Sequence, residues 1–248
     1  MSLAMPGITI HNAGEHAASR AREVARALGL ELRDAATAAE TPSAWQLTAT
    51  PAHLELRDMA DARVRPLWID LIDTGARHAQ GAQLLLKAIG ARNSCVVDAT
   101  AGLGYDAAAL AARYRVIAIE RSPIVAALLQ DALLRANAHT ADALFRLILG
   151  DARAVLPQLP APDAVYLDTM FSPKRKKSAA VRKEMRLLRA VVGDDLDAVE
   201  LLHIARACAR DRVVVKRADD APSLGTEPDF SYRGKLIRYD VYRPRGVE

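Results

Sequence analysis

From about Ala76 onward, short β-branched runs alternate with helix-length stretches, and this rhythm limits the architecture more than any other feature of the sequence. "GAQLLLKAIG" predicts a helix closed by Gly90, "CVVDA" a strand, "AALAARY" a helix and "RVIAIE" a strand. "PIVAALLQDALLRAN" predicts a helix with Pro123 at its start, where the missing N–H is harmless. "FRLILGD" and "DAVYLD" predict strands, "SAAVRKEMRLLRAVV" and "DAVELLHIARACAR" helices, and "RVVVKR" and "KLIRYDVYR" late strands. Strands joined by helices of ~10–15 residues build βαβ units, so the expected class is α/β, with a mostly parallel sheet and helices on both faces. The two final strands, joined by the Pro- and Gly-bearing "APSLGTEPDFSYRG", are expected to pair antiparallel at one edge.

The first 75 residues follow another pattern. "ITI" at 8–10 predicts a strand, 15–28 a helix closed by Gly29, and "AWQLTATPAHLELRD" two strands around Thr50-Pro51. "VRPLWIDL" predicts a further strand. The expected organisation is a small N-terminal α+β subdomain over 1–75 and a larger domain over 76–248. No stretch approaches the ~18 apolar residues of a membrane span. The first residues lack a charged segment followed by a long apolar core, so no signal peptide and a cytoplasmic location are expected. The two cysteines, Cys95 and Cys208, form no C-x-x-C pair and read as buried thiols of a reducing compartment. The six histidines show no ligand spacing, so no metal is expected. The phosphate-binding G-x-x-x-x-G-K-[ST] and the hydrolase G-x-S-x-G are both missing.

Four strand ends carry polar residues suited to chemistry. In "VVDATAGLGYDAAALAA" an apolar run stops at Asp98, and a turn bearing Gly102 and Gly104 leads into a helix. Open α/β sheets bind ligands at such carboxyl ends. A third glycine is missing from the dinucleotide pattern, and Asp98 would repel a phosphate. An acid there suits a cation, and S-adenosylmethionine (SAM) offers a sulfonium and an ammonium. The alternative is a tight turn that binds nothing. Glu120 ends the next strand, 22 residues after Asp98, where an acid can accept from two ribose hydroxyls. Arg121 follows and either covers an adenine or is solvated. Asp151, in "LILGDA", either accepts from an adenine amino group or caps the helix after it.

The fourth strand end is "AVYLDTMF", with Asp168 and then Phe171. An exocyclic base nitrogen is a poor nucleophile because its lone pair is delocalised into the ring. A carboxylate and a backbone carbonyl can accept its two N–H groups, and an aromatic can stack on the base and align the nitrogen. Asp168, the Thr169–Met170 backbone and Phe171 supply those groups; the alternative is a helix-capping acid and a core phenylalanine. Lys174, Arg175, Lys176 and Lys177 follow at once. The segment 174–189 holds eight cations and one acid, whereas the whole chain is only +4, so the rest carries −3. Such focal basicity suits a polyanion.

The segments "VVDATAGLGYDA", "IAIERSPIVAALL", "VYLDTMFSPKRKKSAAVRKEMRLLRAVVGDDLDA", "LLHIAR", "RVVVKRADDAPSL" and "GKLIRYDVY", in this order, resemble the RsmJ family. The likeness runs from about Pro51 to Tyr242 and includes "TPAHLELR". These are bacterial SAM-dependent methyltransferases that act on the N2 of a guanine in small-subunit (16S) ribosomal RNA. The resemblance implies a class I methyltransferase (Rossmann-like) fold, SAM as methyl donor, and small-subunit RNA or its particle as partner. By motif it implies cofactor contacts from Tyr105, Asp106, Glu120, Arg121, Gly150, Asp151 and Asp168. Thr169 stands where the family pattern has proline, Tyr105 where a basic residue is frequent, and "DTGARHAQGAQLLLKAIG" is a thinner version of a basic, Gly-rich segment. Three other readings stay open on the residues. A SAM enzyme acting on a small molecule or protein needs the same turn but no focal basic surface. A non-catalytic RNA-binding module fits the cations and the Thr169 departure. An NAD-dependent dehydrogenase is disfavoured by Asp98.

Overall fold

The computed structural model describes residues 8–10, 14–29, 31–34, 45–61, 63–72, 82–138, 144–169 and 197–245. In chain order the first elements are β1 (Ile8–Ile10), α1 (Gly14–Leu28), β2 (Leu32–Asp34), β3 (Trp45–Ala49) and β4 (Leu54–Asp58). Then come α2 (Gln83–Ile89), β5 (Cys95–Asp98), α3 (Tyr105–Ala111), β6 (Arg115–Glu120), α4 (Pro123–Asn137) and β7 (Arg146–Leu149). The last are α5 (Ala152–Val155), β8 (Ala164–Leu167), α6 (Ala198–Cys208), β9 (Arg212–Ala218), β10 (Phe230–Arg233) and β11 (Ile237–Tyr242). The described residues within Met1–Asp70 and Ser122–Ala141 make one compact unit; those within Leu71–Arg121, Asp142–Arg175 and Asp194–Glu248 make a second.

The first unit holds a four-stranded sheet in the order β2-β1-β3-β4. β1 lies parallel to β2 and β3, and β3 runs antiparallel to β4, so the sheet is mixed as expected. The hairpin turns where the sequence places it. Thr50 Oγ1 donates to the His53 carbonyl at 2.7 Å and accepts from its N–H at 3.0 Å, closing the turn with a side chain. Ala17, Ala21, Val24 and Ala25 are the buried positions of α1, spaced to share one face. α4 is buried along most of its length, and Ser122 caps its N-terminus just ahead of Pro123. Its Asp131 has no exposure and is held by Arg135 Nε at 2.9 Å and Arg20 Nε at 3.5 Å. Arg135 also donates to the Ile69 carbonyl. Two expectations need correction. "VRPLWIDL" gives no strand, only one bridge between Leu67 and Leu56, because Pro66 cannot donate to a ladder. β2, three residues long, is too short to show a period and was not anticipated.

The second unit holds a seven-stranded sheet in the order β10-β11-β9-β8-β5-β6-β7. β5 to β9 are parallel, and β11 is antiparallel to both neighbours. The expected pairing of the two final strands is the β9–β11 ladder, from Val213 opposite Tyr242 to Ala218 opposite Ile237. They do not form the edge. β10, hidden inside the predicted connector, pairs outside β11. The chain order reverses at β5, with β6 and β7 to one side and β8 and β9 to the other.

Val97, Ile119, Val165, Leu167, Val213 and Val215 share one buried cluster with Leu201, Leu202 and Ala205 of α6. The alternate residues Val96, Ala118, Tyr166, Val214 and Tyr239 are buried as well. A sheet covered on both faces explains why β5, β8 and β9 read as unbroken apolar runs. α2 ends at Gly90, whose φ of 90° suits only glycine. Its last carbonyls are met from outside: Tyr114 Oη donates to those of Leu86 and Gly90, and Asn93 Nδ2 to that of Ile89. Cys95 and Cys208 are half-buried rather than buried. The predicted helix "SAAVRKEMRLLRAVV" lies outside the described residues. Among these, no helix is long and apolar enough to cross a membrane.

Leu202, almost fully buried on α6, tests this packing. Leu202→Ala is expected to lower unfolding free energy in urea by about 2–5 kcal/mol. A loss below about 1 kcal/mol would mean that α6 does not seal this face of the sheet.

Candidate active site

The glycine turn is built by its neighbours. Ala101 N–H donates to the Ile119 carbonyl at 3.0 Å, and Gly104 N–H to the Ala101 carbonyl at 2.8 Å. Gly102 and Gly104 have φ of 53° and 77°, left-handed values that let the chain reverse within three residues before α3 starts. Gly102 N–H donates to Glu120 Oε2 at 2.8 Å. The acid that the sequence marks at the end of β6 is therefore buried and shapes the turn directly. Tyr105, first in α3, is half-exposed.

Below the turn, acids gather around one lysine. Asp98 is 1% exposed and accepts from Thr100 N–H at 3.0 Å. Burial pushes its carboxyl well above the usual carboxylate range; Thr100 N–H works against this, Asp106 and Asp168 add to it, and Lys216 offsets part. Asp106, in the first turn of α3, accepts at Oδ2 from Tyr166 Oη and from Lys216 Nζ, each at 2.7 Å. Asp168 Oδ2 accepts from the same ammonium at 2.9 Å. Asp168 N–H donates to Thr100 Oγ1 at 2.6 Å, which ties the end of β8 to the turn. The Asp168 side chain is 41% exposed. Burial opposes the Lys216 charge, but the carboxylates of Asp168 and Asp106 outweigh it and hold its pKa above the ordinary lysine value. Burial pushes the Tyr239 phenol up to about 12.

A third group of charges sits after β7. Asp151 caps α5 by accepting from Arg153 N–H at 2.9 Å, and its carboxylate takes the Arg153 guanidinium at 2.6 Å. The Arg153 side chain holds the Asp151 pKa below its usual value. Asp151 thus makes the helix cap that the sequence allowed. Arg153 also meets Asp197 at 3.2 Å and Glu200 at 2.6 Å, and Arg121 reaches Asp197 at 3.2 Å. Gly150 N–H donates to the Glu120 carbonyl, and a Cβ at Gly150 would come within 2.9 Å of Val155 Cγ2.

The sequence reading and the geometry overlap but do not coincide. Asp98, Gly102, Gly104, Asp106, Glu120 and Asp168 come together around the end of β5, with Arg121, Gly150 and Asp151 following β6 and β7. Lys216 was missed. Its signal was a cation directly after three valines in a run that has to be a central strand. Phe171 and the cations Lys174, Arg175, Lys176 and Lys177 lie outside the described residues. Thr169 is 4% exposed, and its hydroxyl has no hydrogen-bond partner among the described residues. It thus leaves a polar atom unmet where the RsmJ pattern has proline.

The donor set suits a cationic ligand. Asp106 and Asp168 hold one ammonium, and Asp98, the most buried of the three acids, lies within their electrostatic reach. Among the described residues a Cβ on Gly102 would find only the Thr100 carbonyl within 4 Å, at 3.8 Å. A sheet in this strand order, with an acid-bearing glycine turn at its reversal, has the architecture of class I SAM-dependent methyltransferases. Over residues 24–244 the chain matches a family described as "Putative SAM-dependent methyltransferase". It is 43% identical to ribosomal RNA small subunit methyltransferase J of Ectopseudomonas mendocina, over 79% of this chain and 81% of the relative. The protein of the same name from Coxiella burnetii is 40% identical, covering 90% and 92%. That from Pseudomonas aeruginosa is 38% identical, covering 98% and 97%. A crystal structure of a SAM-dependent methyltransferase from Neisseria gonorrhoeae superimposes with a TM-score of 0.75 at 32% identity, over 98% of this chain and 97% of that one. The chain belongs to the ribosomal RNA small subunit methyltransferase J family.

Two substitutions test the site's physics. For a carboxyl held above its ordinary pKa, the unfolded state ionises first as pH rises past about 4, so stability falls from there upward. Asp98→Asn removes this penalty. Its urea midpoint is expected to gain on the parent from pH 4 to pH 8 while SAM affinity drops; parallel pH dependences would refute the buried charge. Thr169→Val removes the orphan hydroxyl and is expected to leave unfolding free energy equal or raise it by about 1 kcal/mol. A clear loss in the same urea titration would reveal a partner for that hydroxyl.

Proposed function

We propose that the protein transfers a methyl group from SAM to the exocyclic N2 of a guanine in small-subunit (16S) ribosomal RNA, in the bacterial cytoplasm. The observation that carries this reading is the position of Asp168: half-exposed at the end of β8, tied through its N–H to the glycine turn and through its carboxylate to Lys216. The names of the relatives supply the RNA class. The reading of 1–75 as a subdomain and 76–248 as the methyltransferase domain draws support from the two separate sheets, although Ser122–Ala141 packs with the first unit.

SAM, when bound, would supply an electrophilic methyl on its sulfonium, the N–CH3 bond forming as the CH3–S bond breaks and the neutral thioether S-adenosylhomocysteine leaves. The protein's part is to bind and orient. Gly102, Gly104, Tyr105 and Asp106 line the turn, and the buried Asp98 beneath it favours a cation. Glu120 and Arg121, then Gly150 and Asp151, continue the same rim. Asp168 accepts an N–H of the guanine amine, which favours a more tetrahedral nitrogen, and it is the nearest base for the proton released after transfer. Phe171 stacks on the base. Lys174, Arg175, Lys176 and Lys177 contact phosphates and set the register of the strand without reading its sequence.

The test is transfer of labelled methyl from SAM to small-subunit particles, and separately to naked 16S RNA, both from a strain lacking the protein, with the modified base mapped. Label on a guanine N2 is expected. Label on another base, or only on small molecules or protein, would overturn the reading. Asp168→Asn is expected to lose roughly 100-fold or more in turnover with the fold intact. Near-normal turnover would remove Asp168 from the chemistry.

A further inference from the structure

Lys216 lies at none of the four strand ends that mark the site, yet it joins three of its elements. Its Nζ lies 2.7 Å from Asp106 Oδ2 on α3 and 2.9 Å from Asp168 Oδ2 at the end of β8. The same Asp106 oxygen accepts the Tyr166 hydroxyl, and Tyr166 is two residues ahead of Asp168 on β8. From β11, Tyr239 stands opposite Lys216 in the ladder, and from β5 Asp98 adds a third carboxyl to the surroundings. Carboxylates gathered this closely repel one another, and such groups tend to share a proton unless a cation lies between them. A shared proton would disable Asp168, because only the ionised carboxylate offers both oxygens as acceptors.

We propose that Lys216 is a positioning residue for methyl transfer: its ammonium keeps the Asp168 carboxylate ionised and fixes it to the first turn of the helix that follows the glycine turn. The proposal rests on the reading of Asp168 as the acceptor for the guanine amine and explains how that acid stays an acceptor beside Asp98 and Asp106. It also makes one contact serve both halves of the site. If α3 shifts, Asp106 draws Lys216 with it, and the Lys216–Asp168 contact is lost.

The experiment compares Lys216→Met, Lys216→Arg and the double variant Lys216→Met/Asp106→Asn with the parent. Three quantities are read: the titration of the Asp168 carboxyl carbon by NMR, the pH profile of labelled methyl transfer, and SAM affinity by calorimetry. In Lys216→Met the Asp168 midpoint and the acid limb of the rate are expected to rise together by about one pH unit or more. Turnover at neutral pH should fall roughly tenfold or more, with SAM affinity changing less. Lys216→Arg should restore part of the acid limb, since it returns the charge in a different shape. The double variant also removes one of the two carboxylates that lose the ammonium, so it provides a folded protein if the single variant unfolds; its Asp168 midpoint should still exceed the parent's. An unchanged midpoint in whichever variant folds, or a loss of turnover accounted for entirely by weaker SAM binding, overturns the proposal. A parent protein inert on RNA and particles would sink the substrate reading instead, and the NMR titration would still decide the role of Lys216.

Discussion

Two parallel strands cannot be joined by a tight turn; each needs a crossover, and every crossover returns the chain to the same edge of the sheet. Everything distinctive about the second unit depends on that constraint. It gathers the carboxyl ends of β5, β6, β7 and β8 along one rim, and the reversal of strand order at β5 keeps a crevice open there. Residues far apart in sequence thus become neighbours without any loop having to reach. Asp98 and Asp168 end adjacent strands, and Glu120 ends the strand on the other side of Asp98.

The parallel sheet is also why so much of the site could be read in advance. A strand buried on both faces must be apolar throughout, so the first acid after the run marks its end. Asp98, Glu120 and Asp168 announce themselves in this way, and Asp151 does so through the glycine before it. The bounds of α4 were legible because Ser122 and Pro123 form a start signal that depends on nothing distant. Lys216 was not legible, because its partners lie 48 and 110 residues away and only the pairing of β5 with β8 and of β8 with β9 brings them close. β10 was lost among prolines and glycines; its place comes from pairing with β11, not from its own four residues. "VRPLWIDL" shows the opposite failure, an apolar pattern that promised a strand while its proline withheld the hydrogen bond a strand requires.

The site departs from what stability alone would select. A buried acid above its ordinary pKa, a lysine shared by two carboxylates and a threonine hydroxyl without a partner all occur within a few residues of the strand ends. Each would be better satisfied in water. The surrounding apolar sheet, with α6 packed on one face, holds them there. Glu120 illustrates the economy of the arrangement: one carboxylate fixes the turn through Gly102 while its backbone carbonyl receives Gly150.

The described part of the first unit comes from two stretches of chain, and buried charges help to join them. Arg20 of α1 meets Asp131 of α4, and Arg135 of α4 reaches back to the carbonyl of Ile69. On the ribosome these partners appear in order. Arg20 emerges roughly 110 residues before Asp131, a delay on the order of ten seconds at ordinary rates of synthesis. Through that interval the N-terminal sheet has no α4 to pack against, although β5 and β6 have already been made. The amino-terminal unit is therefore begun first, yet its helix α4 is made only after β5 and β6 of the second unit, so its sheet waits for that helix while another sheet is already under way.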